Sequence, residues 1–276
     1  MKWFHFILSH SIFISLCATA LCYQSYLLLN IQPDNRVCFM LFFSTLCSYN
    51  LYWLISKYFF NEEKNLIFFL KKNISYLVFF ITAAVIVTYY LFIIPGIFPF
   101  ALISILLTLL YSLPLWPIRI FSIFRNAGFI KTLLLAFTWT YGTLMLPLQV
   151  NFFKITPEIA MLFIARFSFM LMLCAIFDSR DIVIDKMRSL KSLATDLSPL
   201  ALKIIMGISF FIYISAGILL RLNNHDTAQL TAFLITGVMV FIVYRCSLRV
   251  QNYIFYYFIV DGLMLFSAAA TYMASI

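Results

Sequence analysis

Long apolar runs, cut by short polar or proline-bearing turns, set the pattern of this chain. Nine follow one another: Trp3–Leu29, Val37–Phe60, Ile74–Ile94, Ile97–Leu113, Ala127–Leu146, Pro157–Phe177, Pro199–Leu220, Ala228–Tyr244 and Asn252–Ala274. About 20 residues at ~1.5 Å rise cross the hydrocarbon core, so each run is predicted to be a transmembrane helix. Ala18-Thr19-Ala20 in the first run resembles a signal-peptide cleavage site. The apolar stretch continues to Leu29, well past a signal core of ~7–15 residues, so the run reads as a span. Pro33 to Arg36 make the first turn, and Pro95-Gly96 separates the third and fourth runs. All eight prolines fall at or near predicted boundaries, where the backbone leaves a helix. The longest polar stretch, Asp178 to Ser198, is predicted as a loop.

Composition agrees with the pattern. At 64% hydrophobic and 11% charged residues, the chain lies far from the half and quarter usual in soluble domains. No polar segment is long enough for a soluble domain, so the expectation is an all-α polytopic membrane protein in which residues 1–276 form a single membrane domain. The net charge of +9 is then a topology signal, with no call for a nucleic-acid partner. With a cytoplasmic N-terminus, the outside loops of a nine-span chain hold Arg36, Lys154 and Arg221, and Arg166 lies within a span. That leaves fifteen of the 19 Lys and Arg residues inside. This bias predicts a bacterial inner-membrane placement, N-terminus in and C-terminus out, with the Asp178 stretch facing the cytoplasm.

Six cysteines (17, 22, 38, 47, 174 and 246) form no CxxC pair and are expected as buried thiols. His5, His10 and His225 lack metal-ligand spacing, so neither zinc nor haem is indicated. The 32 Phe and 16 Tyr suit lipid-facing surfaces and interfacial belts. Two charges lie deep in spans. Arg166 is twelve residues before Asp178 and Asp261 twelve after Arg249, so an ion pair between them is predicted.

Asp178, Asp181 and Asp185 are three of only ten acidic residues, and their spacing places them on one helix face. By itself this reads as a solvated helix end. With nine spans, a cytoplasmic position closing the sixth, and Tyr111-Ser112-Leu113-Pro114 followed by Arg119, Arg125 and Lys131, the chain resembles the UbiA superfamily of intramembrane prenyltransferases. Asp178, Asp181 and Asp185 match that family's second aspartate motif, D-x-x-D-x-x-x-D. The resemblance implies a UbiA-like helical bundle that moves a prenyl group from a polyprenyl diphosphate to an acceptor, an alkyl transfer. It further implies magnesium held by Asp178, Asp181 and Asp185, with Arg119, Arg125, Lys131 and Lys186 contacting the diphosphate. Magnesium prefers hard oxygen ligands and fills its remaining positions with phosphate and water, so the residue types fit.

The departure from the family is at helix two. A pseudo-repeat setting residues 49–57 against 178–186 puts Tyr49, Tyr52 and Ser56 where Asp178, Asp181 and Asp185 stand. Asn50, Tyr49 and Tyr52 can hydrogen-bond a phosphate, but neutral oxygens do not supply the charge that holds magnesium. Two rivals remain: a degenerate UbiA-fold protein that binds an isoprenoid or other lipid without transfer, and a small-solute transporter. Against the transporter stand spans without mid-helix Gly/Pro breaks and acids gathered at a membrane face.

Overall fold

A computed structural model describes residues 2–59, 65–112, 128–149, 155–187, 192–224 and 227–276; the side chains at 2, 59, 66, 112, 181, 183–187 and 221–224 are not among those described. Each apolar run is met by helix. In chain order these are α1 (Lys2–Ser9), α2 (Ile12–Leu28), α3 (Asn35–Phe59), α4 (Leu66–Lys72), α5 (Ile74–Ile93), α6 (Phe98–Ser112), α7 (Gly128–Leu148), α8 (Pro157–Met187), α9 (Leu193–Asp196), α10 (Pro199–Asn224), α11 (Thr227–Ser247) and α12 (Phe255–Ala274). Among the described residues seven helices are long and apolar enough to cross a membrane, and the bent pair α1–α2 makes an eighth; the fourth run forms the shorter apolar helix α6. The chain is an integral, multi-pass membrane protein.

Three local features depart from the sequence expectation. The first run is bent by 63° between α1 and α2. The cause is the polar triplet Ser9-His10-Ser11: Ser11 takes a left-handed conformation (φ 63°), and His10 Nε2 lies 2.9 Å from Ser75 Oγ while its ring stacks on Tyr76. This fixes the elbow against α5. Second, α4 precedes α5, begun by Asn65, whose side chain accepts the N–H groups of Ile67 and Phe68. Third, α8 does not stop at Phe177. It continues to Met187, so the first half of the predicted loop is helix. No glycine or proline interrupts residues 158 to 198, so nothing forces the backbone out of helix at the membrane face. Beyond it, a capping box between Ser192 and Thr195 starts α9.

Helix α8 is the axis of the bundle. In its apolar span 72% is buried, against 6% for α5, whose side chains face outward as expected of a lipid-facing helix. Around α8 pack α7, α10 and the start of α12, while α2 bridges α3 and α12. The turn at Pro95-Gly96 is present, with Gly96 at φ +72°, a conformation that disfavours side chains.

The expected Arg166–Asp261 ion pair is not formed. Arg166, 4% exposed, donates to the Leu21 carbonyl and Thr143 Oγ1 (3.1 Å each) and to Gln24 Oε1 (2.9 Å). Gln24 is in turn held by Ser267 and Thr271 of α12. The guanidinium is therefore satisfied by neutral acceptors from α2 and α7. Part of that arrangement follows from Pro147, which has no N–H to offer the Thr143 carbonyl four residues back; the Ser25 hydroxyl fills the gap at 2.9 Å. The same stretch, Tyr141–Met145, is wound as a π-helix. The cysteines are mostly buried as expected, but Cys246 is exposed near the end of α11.

Candidate functional site

The end of the bundle that charge bias assigns to the cytoplasm gathers several of the predicted site residues. Asp178 lies half-buried on α8. Its Oδ2 accepts the Thr132 hydroxyl of α7 and the Leu193 N–H of α9, the latter at 3.0 Å. Asp196, at the end of α9, accepts the Gly128 N–H at 2.8 Å and so supports the start of α7. The two carboxylates clamp α7, α8 and α9 together and fix the orientation of the Asp178 side chain. Asp181, Asp185 and Lys186 follow on the same unbroken helix, so 178, 181 and 185 share a face; their side chains lie outside the described set. Arg119 and Arg125 fall in 113–127, outside the described residues.

Lys131 belongs to α7, one residue before Thr132. Its ammonium lies 5.6 Å from the centre of the Tyr111 ring on α6, within cation–π range. Tyr111 stacks with Tyr52 of α3 at 6.4 Å, and one turn deeper Tyr49 meets Trp139 of α7 edge-on at 6.1 Å. Ring contacts thus link Tyr52 of α3, Tyr111 of α6 and Lys131 of α7, and Tyr49 of α3 and Trp139 of α7, while Thr132, the residue after Lys131, holds Asp178 of α8.

Asn50 is not part of that group. Its Nδ2 donates to the Leu46 carbonyl (2.8 Å) and the His10 carbonyl (3.1 Å), so it secures the α1–α2 elbow; its buried Oδ1 has no hydrogen-bond partner among the described residues. Lys57, the helix-two counterpart of Lys186, lies over the Tyr76 ring at 3.9 Å, on that same elbow.

Farther along α8, Arg180 is held over three rings, Phe177, Tyr256 and Tyr257, at 5.1, 4.9 and 4.9 Å, which ties α8 to α12. Asp261 follows one turn after Tyr257, 7% exposed. Sequence reasoning did not select Trp139, Thr132 or Asp196. Thr132 and Trp139 stand seven residues apart on one face of α7 but carry no motif, and Asp196 acts through a backbone contact 68 residues away.

No family model matches the chain, and no curated protein matches it. Among solved structures it is similar to a digeranylgeranylglyceryl phosphate synthase, with a TM-score of 0.55 over 98% of this chain and 95% of that one, at 15% identity. The two chains share a fold. At that identity the likeness extends over the whole bundle and specifies no side chain. What the likeness shows is the fold, an all-helical bundle common to the two chains over nearly their whole length.

Proposed function

We propose that the protein transfers a prenyl group from a polyprenyl diphosphate to an acceptor at an intramembrane cleft facing the cytoplasm. The observation that carries this reading is the convergence of Asp178 and Lys131 with the Tyr49, Tyr52, Tyr111 and Trp139 rings, in a fold shared end to end with a membrane prenyltransferase.

The chemistry of the donor set suits magnesium. Asp178, Asp181 and Asp185 offer hard oxygens from one helix face, and the hydrogen bonds from Thr132 and Leu193 to Asp178 are the kind of outer contact that orients a ligating carboxylate. Bound there, the ion would neutralise charge on the departing diphosphate. The chain's own groups supply the rest. Lys131, with Arg119, Arg125 and Lys186, attracts the diphosphate to this end of the bundle and favours its charge as the C1–oxygen bond breaks. The aromatic walls accept the isoprenoid chain and keep water from the reacting carbon. Tyr49 and Tyr52 stand where the family has acids; Tyr52 stacks on Tyr111, which Lys131 also meets, and Tyr49 packs on Trp139.

The second reading, binding without transfer, draws on that same substitution: neutral oxygens on α3 leave one acidic face in place of two. One experiment separates the readings. The purified protein is incubated with labelled polyprenyl diphosphates with and without magnesium, and binding and diphosphate release are scored separately. Release supports the transferase, binding alone supports the degenerate receptor, and neither refutes both.

A further inference from the structure

Helix α11 carries an exposed apolar stripe that ends in a basic pocket. Leu234, Val238, Phe241 and Ile242 follow one another at helical spacing and are all exposed, so they mark the face of this span that meets acyl chains. Arg245 is next on that face, four positions on from Phe241, and it too is exposed. The 21 residues of α11 rise about 32 Å at ~1.5 Å each, against roughly 30 Å for the hydrocarbon core. Arg245 and the connection from α11 to α12 therefore stand at the level of the lipid headgroups. This is the end of the bundle that carries Asp178, because the Phe177 ring of α8 packs on Tyr256 just beyond the connection, with centroids 6.0 Å apart.

The connection has a fixed shape. The Cys246 carbonyl accepts the Arg249 N–H at 3.2 Å and the Gln251 Nε2 at 2.9 Å, which curls the chain back on the helix end. The curl leaves an open-sided cavity of about 450 Å³, lined by Arg245, Cys246, Leu248, Arg249 and Gln251. Sites for small ligands usually span roughly 300–1,000 Å³. Two guanidinium groups thus line one cavity, and among the described residues neither has a carboxylate partner. Leu248 and Val250 beside them are exposed and apolar, as suits a loop resting on the bilayer surface.

We propose that this cavity binds the headgroup of an anionic phospholipid, its phosphate held by Arg245 and Arg249 and its acyl chains lying along the stripe from Leu234 to Ile242. A guanidinium offers parallel N–H groups that match phosphate oxygens. The stripe leading to the pocket favours an anion that carries a hydrocarbon tail. The paired positive charge selects a lipid of net negative charge over a choline or ethanolamine lipid, whose own ammonium offsets its phosphate. Basic residues at span ends commonly act as topological anchors; these two differ in sharing a cavity whose walls are held by hydrogen bonds. The lipid binds whether or not the protein transfers a prenyl group.

Cys246 supplies the reporter, since it lines the cavity and is exposed, while Cys17, Cys22, Cys38 and Cys174 are buried and Cys47 is half-buried. The full chain is placed in nanodiscs of phosphatidylcholine, with or without added phosphatidylglycerol. Alkylation of Cys246 by the uncharged reagent N-ethylmaleimide is followed by peptide mass spectrometry. Phosphatidylglycerol is expected to slow the reaction about tenfold, and Arg245→Gln/Arg249→Gln to bring the rates in the two discs within about twofold of each other. The surface potential of the mixed discs acts on wild type and variant alike, so slowing that persists in the folded double variant overturns the proposal. Equal wild-type rates in the two discs overturn it as well. Inorganic pyrophosphate that protects Cys246 equally well in phosphatidylcholine discs overturns the lipid assignment in favour of a soluble anion. Thermal unfolding identifies folded protein; should the double variant not fold, Arg249→Gln alone, which lies outside any helix, is expected to cut the protection to about threefold, and undiminished protection overturns the proposal.

Discussion

Arg166 and Asp261 carry opposite charges inside spans, and the structure treats them in opposite ways. Arg166 is enclosed by a carbonyl, a hydroxyl and an amide oxygen, each within 3.1 Å and drawn from other helices. Tyr49 meets the Trp139 ring edge-on at 6.1 Å and Lys131 lies 5.6 Å from the centre of the Tyr111 ring, and among the described residues no hydrogen bond reaches Asp261. A polar group whose donors are matched by neighbouring helices holds those helices in place. One left unmatched ties no helix to its neighbour.

That contrast can be attacked directly. Arg166→Met strands three buried acceptors and is expected to lower stability by on the order of 4 kcal/mol, read by thermal unfolding in detergent, with diphosphate binding by the folded fraction unchanged. Weakened binding without lost stability would reverse the assignment of the two regions. The double change Asp178→Asn/Asp181→Asn should do the converse, reducing magnesium-dependent diphosphate binding by on the order of 100-fold while the protein stays folded; unchanged binding would sink the site assignment. Lys131→Ala is expected to weaken the same binding about tenfold, as loss of a single charge-assisted contact does. Thr132→Val sharpens the boundary between the regions, since Thr132 holds Asp178 and so serves both; a loss of about 1 kcal/mol in stability accompanied by weaker magnesium dependence is expected. The smallest effect concerns the Asp34–Arg36 pair in the turn between α2 and α3. The hydrogen bond from Arg36 holds the Asp34 carboxyl below its ordinary range. Its stabilising share is complete above the ordinary carboxylate value near 4 and is lost as pH falls through the depressed one. Asp34→Asn should remove that acid-side slope from thermal unfolding and leave diphosphate binding untouched.

Much of the bundle was legible because hydropathy and helix length are local properties: all nine runs correspond to helix, and proline marked the turns. The elbow at Ser9-His10-Ser11 was missed because a short polar triplet inside a long apolar run barely changes mean hydropathy. The extent of α8 was missed because polarity was read as loop, whereas polarity at a membrane face marks where lipid ends and says nothing about where hydrogen bonding ends. Pairing was the least legible. Arg166 and Asp261 looked complementary by sign, but the acceptors for Arg166 are neutral atoms as far off in sequence as Leu21 and Gln24. Asp178, Lys131, Tyr49 and Tyr52 were selected by residue type and motif, while Trp139 and Thr132 come beside them only through the packing of α3, α7 and α8.

The 31 residues of α8 have one more consequence. At ~1.5 Å per residue the helix is about 46 Å long, against roughly 30 Å for the hydrocarbon core. Unless strongly tilted it stands proud of the apolar slab, and the acidic end is the one that emerges. A lipid carrying a diphosphate could then keep its head at the water line and slide its tail between the helices from the side, without drawing the charge through oil.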